Sequence, residues 1–257
     1  MENPTRAGVS AALRRLSRPA GTFDAARYFR GDHGLRFYNV GTSSVRALAR
    51  EICNANRATW TSDDATKFAD ALMRDPYLEA KAVGIEVVAR FRRSFTPGVL
   101  RVWKRWLAGN LSANWATTDQ ICGELIGPLL VAHPRLVPQM RAWATHRNMW
   151  VRRASAVALI PAIRRGIAID VAYEIAAKLH GDRQDLIQKA VGWMLREAGR
   201  QNAVRLERYL RAGCAVIPRT TFRYAIERFA PAKRRELMAL PTPRAAPATV
   251  RSRRRAR

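Results

Sequence analysis

The chain of 257 residues reads as an all-α protein, a HEAT-like helical repeat solenoid. Three observations point there. Apolar residues recur at helical spacing nearly throughout, and no segment keeps the strict two-residue alternation of a half-buried strand for more than a few positions. The helical stretches are short and are punctuated by Pro, Gly and Asn. Trp115, Trp150 and Trp193 fall 35 and then 43 residues apart, near the roughly 33–47-residue period of helical repeats. An internal echo supports the repeat. Lys81-Ala82-Val83-Gly84-Ile85 matches Lys189-Ala190-Val191-Gly192-Trp193 at four of five positions, 108 residues away. Glycine inside a helix costs roughly 0.5–1 kcal/mol, so its recurrence at Gly84 and Gly192 predicts close helix packing at equivalent sites.

The elements follow in order. Ser43-Ser44 are N-cap types ahead of Val45, Leu48, Ala49 and Ile52, which predicts a helix over 43–56. Ser62-Asp63-Asp64 caps a helix over 63–73, and Asp75-Pro76 starts another over 76–93. Thr96-Pro97 opens 97–108, which Gly109-Asn110 closes. Asn114 caps the helix that carries Trp115 and Asp119. Pro134 and Pro138 restart the chain, and Asn148 caps 149–162. Helices are also expected over 170–180, from Asp182 or Asp185 to about 199, over 202–213, over 220–229, and in a short stretch from Pro231. Residues 241–257 carry six arginines, no acid and no apolar periodicity, which predicts a disordered basic tail. The domains read as a basic N-terminal segment over 1–20, the repeat domain over 21–240 and this tail.

Composition narrows the function. The formal net charge is +26 and the sequence pI is about 11.5. Of 46 basic residues only 6 are lysine. Arginine's planar fork suits phosphate oxygens, and this charge is the footprint of a nucleic-acid binder. Cys53, Cys122 and Cys214 are far apart and form no CxxC, so neither a disulfide framework nor a zinc site is expected. His33, His133, His146 and His180 make no metal-ligand spacing. No metal or other cofactor is expected. No run approaches 18 apolar residues, so no membrane span is expected. The expected setting is the bacterial cytoplasm, in association with the nucleoid, with the chain as a monomer.

Two segments carry the chemistry. Asn114-Trp115-Ala116-Thr117-Thr118-Asp119 sets a tryptophan and a carboxylate at i,i+4. Gly192-Trp193-Met194-Leu195-Arg196 sets a tryptophan and an arginine at i,i+3. Trp150-Val151-Arg152-Arg153 lies between them. An acid among tryptophans stands out in a chain with 20 acids against 46 bases. The competing readings are ordinary ones: core tryptophans, a surface or capping carboxylate, and a solvated arginine face. Trp103 and Trp106 read as packing between repeats. Lys81 and Lys189 read first as repeat-surface lysines.

Together these motifs resemble the HEAT-like-repeat DNA alkylation repair enzymes, the AlkD type of alkylpurine DNA glycosylase, over roughly residues 20–230. Tyr38-Asn39-Val40-Gly41-Thr42, leading into the Val45-Arg46 helix, adds to the likeness. The resemblance implies a concave, basic cleft that holds double-stranded DNA carrying alkylated bases. It implies that Asp119 is the catalytic carboxylate, with Trp115 and Trp193 as its aromatic walls. Arg153 or Arg152, with Arg196, are implied to hold the DNA backbone. Tyr28, Thr42 and Lys189 are the further candidate DNA contacts. Relatives often carry a second acid where Ala116 stands. The implied reaction is monofunctional excision of cationic alkylated purines, of the N3-methyladenine and N7-methylguanine type, without enclosing the base. The chemistry is self-consistent. A cationic base leaves as a neutral molecule and needs no general acid, while positive charge develops on the sugar, where a carboxylate can stabilise it. Two alternatives stand beside this reading: a non-catalytic binder of damaged or branched DNA, and a helical-repeat scaffold for RNA or an acidic protein.

Overall fold

A computed structural model of the chain describes residues 4–19, 29 and 34–241. Among these residues the structure is helical and contains no strand. The single bridge between Arg36 and Tyr77 is isolated. The helices are α1 (Arg6–Leu16), α2 (Thr42–Asn56), α3 (Ser62–Met73), α4 (Leu78–Ala89), α5 (Leu100–Ala108) and α6 (Trp115–Gln120). There follow α7 (Gly127–Ala132), α8 (Met140–Trp143), α9 (Met149–Val157), α10 (Ile160–Ile163) and α11 (Ile169–Leu179). The last four are α12 (Asp185–Gln201), α13 (Ala203–Ala212), α14 (Arg219–Ala225) and α15 (Pro231–Met238).

Local chemistry sets the boundaries, in places differently from the sequence pattern. Thr61, not Ser62, caps α3 through a reciprocal capping box with Asp64. α2 starts one residue before the Ser43-Ser44 pair and has no side-chain cap. The stretch from Pro76 becomes helical only at Leu78, where Asp75 Oδ1 has already accepted the Tyr77 amide at 3.0 Å. Asn110 takes a left-handed φ of 59° after α5, a conformation asparagine tolerates. The expected 149–162 helix is two pieces, α9 and α10.

α1 inserts Val9 and Leu13, both fully buried, into the same hydrophobic core as the repeats. Successive repeats are laced by polar contacts between residues some 30 to 40 positions apart. Examples are Arg152 with Asp182 (separation 30) and Arg46 with Glu86 (separation 40). Such regular cross-links are the stacking contacts of a quasi-one-dimensional array. Both echo glycines lie at close contacts, but against different neighbours. A Cβ on Gly84 would sit 3.3 Å from Ala69 on the preceding α3. One on Gly192 would sit 2.4 Å from Tyr224 on the following α14. The sequence echo therefore does not mark equivalent packing.

Candidate functional site

The turn before α6 fixes the site. Asn114 Oδ1 accepts the Thr117 amide at 2.8 Å, the expected cap, and its Nδ2 donates to the Ser112 carbonyl at 2.8 Å. Thr118 Oγ1 meets Ser112 Oγ at 3.1 Å. Lys81 Nζ donates to the carbonyls of Leu111 (2.8 Å) and Met73 (2.5 Å). Lys81 is thus buried beneath this turn rather than displayed on the repeat surface. Its burial lowers the amine to about 8, against an opposing pull from Asp75.

This anchoring sets the rotation of α6. Trp115 emerges 37% exposed, while Asp119, one turn later, is mostly covered and faces α9. The helix then widens into a π-helical stretch over Ile121–Ile126. Pro128 has no amide to continue the α pattern, and the Gly127 amide bonds the Cys122 carbonyl five residues back.

Asp119 is held by Arg153 through a two-point fork. Nε donates to Oδ1 at 2.8 Å and Nη2 to Oδ2 at 2.7 Å. The third arm of the guanidinium, Nη1, donates to the Leu186 carbonyl in the first turn of α12. One arginine on α9 therefore ties the helix of Trp115 and Asp119 to the helix of Trp193. The side chains of Arg153 and Asp119 are 6% and 17% exposed. Burial pushes the Asp119 carboxyl above its ordinary value, and the Arg153 guanidinium pulls part of the way back. Burial, aided by the Asp119 charge and opposed by Arg153, raises the Cys122 thiol well above its ordinary value.

The other sequence candidates are also engaged internally. Arg152 Nε donates to Asp182 at 2.6 Å, and its Nη1 to the carbonyls of His146 and Arg147, both at 2.9 Å. Arg196 pairs with Glu227, and Lys189 with Asp185 at 2.7 Å. The expectation that Arg152, Arg153 and Arg196 reach out to the DNA backbone is thus not what this geometry displays. Each guanidinium already has a carboxylate partner, and Arg153 is buried. Trp193 is partly buried and packs on the edge of the core, with Arg196 one turn on. Trp150 is buried and does not continue an exposed tryptophan row. Trp103 and Trp106 are fully buried, and Trp106 Nε1 donates to Asp70 at 2.7 Å. Tyr28 lies outside the described residues, as does the tail beyond residue 241.

Sequence reasoning missed two features. Phe29 stacks on Trp115 with ring centroids 5.5 Å apart. A cavity of about 700 Å³ opens beside that pair, with Phe37 and Thr42 in its wall. Its charged lining is Glu79, Glu86 and Glu124 against Arg46 alone, an acidic spot in a strongly basic chain. No linear signal joins these residues, because the stretch before α2, α2 itself, α4, α6 and the π-helical stretch after it all contribute to the lining. No group of metal-binding side chains occurs among the described residues. No described helix is long and apolar enough to cross a membrane.

Short helices linked from one repeat to the next define an all-α helical-repeat protein, and its candidate site is a clamped carboxylate one turn from an exposed tryptophan. The sequence profile of the family described as "DNA alkylation repair enzyme" matches residues 9–229, and the chain belongs to that family. A solved structure described as a predicted DNA alkylation repair enzyme from Enterococcus faecalis shares the fold. It aligns with a TM-score of 0.69 and 18% identity, over 90% of this chain and 98% of that one. No curated protein matches the chain.

Proposed function

We propose that the protein is a monofunctional DNA glycosylase that excises cationic alkylated purines from duplex DNA without enclosing the base. The observation that carries this reading is the Asp119–Arg153 fork set one turn from exposed Trp115. As positive charge grows on the sugar, the Asp119 carboxylate offsets it and orients the attacking water. Each carboxylate oxygen retains a lone pair beyond its bond to Arg153. Arg153 opposes the upward push of burial, favouring the ionised carboxylate, and fixes its direction, so it acts as a positioning residue. The Trp115 face adds attraction for a cation, and Trp193 forms the second wall. The acidic, aromatic cavity beside Trp115 supports a positively charged ligand rather than a neutral one.

The non-catalytic reading draws on the same fork, because both Asp119 oxygens are already engaged, and on Ala116 in place of the acid often carried by relatives. One experiment separates the two. Purified protein is incubated with methylated duplex DNA under single-turnover conditions, and released bases are measured. Wild type should release N3-methyladenine or N7-methylguanine. Asp119→Asn should lose on the order of 10²-fold in rate, with duplex affinity within about twofold. Duplex binding by wild type without any release would establish the non-catalytic reading instead.

A further inference from the structure

We infer that the groove lined by Arg57, Arg90, Arg92 and Arg93 binds the backbone phosphates of duplex DNA, as a second surface beyond the Trp115–Asp119 site. This inference rests on the reading that the protein acts on duplex DNA. The groove encloses about 710 Å³ and also includes Asn54 and Trp60 in its lining.

The arginines that the sequence pattern nominated each have a carboxylate within reach: Arg152 has Asp182, Arg153 has Asp119 and Arg196 has Glu227. The four groove arginines are all exposed, and among the described residues none has a carboxylate within 4.0 Å. Like charges gathered in one groove repel each other, and an anion relieves that repulsion. The ordinary alternative is that arginines at helix C-termini complement the helix dipole. Arg57 and Arg90 do follow α2 and α4. Yet among the described residues the one backbone carbonyl these side chains reach is that of Arg46, 3.4 Å from Arg90 and near the N-terminal end of α2. Side chains from two helix ends and the turn at Arg92–Ser94 converge on one space, which a dipole effect does not require.

Position supports the same ligand. Glu86 and Glu124 border both this groove and the cavity beside Trp115, so the two spaces adjoin. Arg46 pairs with Glu86 at 3.2 Å, which offsets one of those acids. The boundary divides the surface into an acidic, aromatic end and a basic end. Thr42 lines the first and Arg57 the second, at opposite ends of α2. A helix of that length spans about 22 Å, or on the order of six phosphates along one strand. DNA engaged at Trp115 therefore has backbone to lay across the groove.

The test uses the full chain and unmodified duplex, so it does not depend on excision. Binding is measured from 50 to 200 mM salt for wild type, for the triple variant Arg57→Ala, Arg92→Ala, Arg93→Ala, and for the same three positions as lysine. Thermal melting checks folding, which these exposed sites should leave intact. The alanine variant should bind at least tenfold more weakly at 50 mM salt, with a log–log salt slope smaller by about 2 to 3. The lysine variant should keep most of the slope. An unchanged slope and affinity in the alanine variant would overturn the proposal, as would a loss seen on single-stranded RNA but not on duplex DNA. A wild type that excises nothing while its alanine variant loses slope would remove the glycosylase reading and leave the groove. Intact excision with an unmoved slope would remove the groove alone.

Discussion

The two arginine-rich regions of this molecule contrast sharply. At the junction of α6, α9 and α12, Arg153 is buried, forked onto Asp119 and bonded to a backbone carbonyl of the next repeat. At the ends of α2 and α4, Arg57, Arg90, Arg92 and Arg93 are exposed and have no carboxylate partner among the described residues. One residue type thus occupies two settings, and what distinguishes them is whether a carboxylate lies within reach. A buried guanidinium with an acid orients that acid, because both partners are desolvated and the planar fork fixes their geometry. An exposed guanidinium without an acid remains available to phosphate.

The largest effect that would sharpen this contrast is expected from Arg153→Ala. It strands a mostly covered carboxylate and cuts the tie between α6 and α12. The expected loss is about 3 kcal/mol in folding stability, read from urea unfolding. Asp119, already pushed upward by burial, should rise further without its guanidinium. The acidic limb of the excision-rate profile should then move to higher pH, since excision needs the ionised carboxylate. Arg153→Lys should not restore wild-type stability, because an ammonium cannot reproduce the fork. Wild-type stability and an unmoved limb in Arg153→Ala would break the account of the pair.

A smaller effect is expected at His180, the residue that follows α11. Its Nε2 lies 2.7 Å from the Tyr209 hydroxyl, its Nδ1 is buried without a partner, and burial depresses the ring from 6.5 to about 4. The fold therefore favours the neutral imidazole. Its contribution is complete above pH 6.5 and is lost as pH falls from 6.5 toward 4. Between pH 6.5 and 5, a range above most carboxylate titration, the wild-type urea midpoint should fall more than that of His180→Leu. Parallel curves would contradict the burial argument.

Much of this architecture was legible in the sequence because it is local. Helical spacing, the Asn114 and Asn148 caps and the Gly109-Asn110 stop all act within one turn of their own residues, and the structure contains each of them. Asp119 beside Trp115 was legible for the same reason, as an i,i+4 pair. What was not legible is partnership. Nothing in Trp-Val-Arg-Arg tells that Arg153 meets an acid 34 residues earlier while Arg152 meets one 30 residues later. Lys81 and Lys189 share a motif, but one is buried against two carbonyls and the other is half-exposed beside Asp185. The stacking of repeats decides such outcomes, and stacking depends on residues far apart in the chain. The groove arginines carry no linear signal, because Arg57 is separated from the other three by two helices, α3 and α4, in a chain where arginine is common everywhere.

The central claim is that Arg153 acts through Asp119 and not on DNA, while the groove arginines act on DNA. The most direct test is the salt dependence of unmodified duplex binding by Arg153→Gln, measured below its melting temperature beside the groove triple variant. The account predicts a wild-type slope for Arg153→Gln and a slope smaller by about 2 to 3 for the groove variant. A slope reduced by about 1 in Arg153→Gln, with the groove variant unchanged, would contradict it.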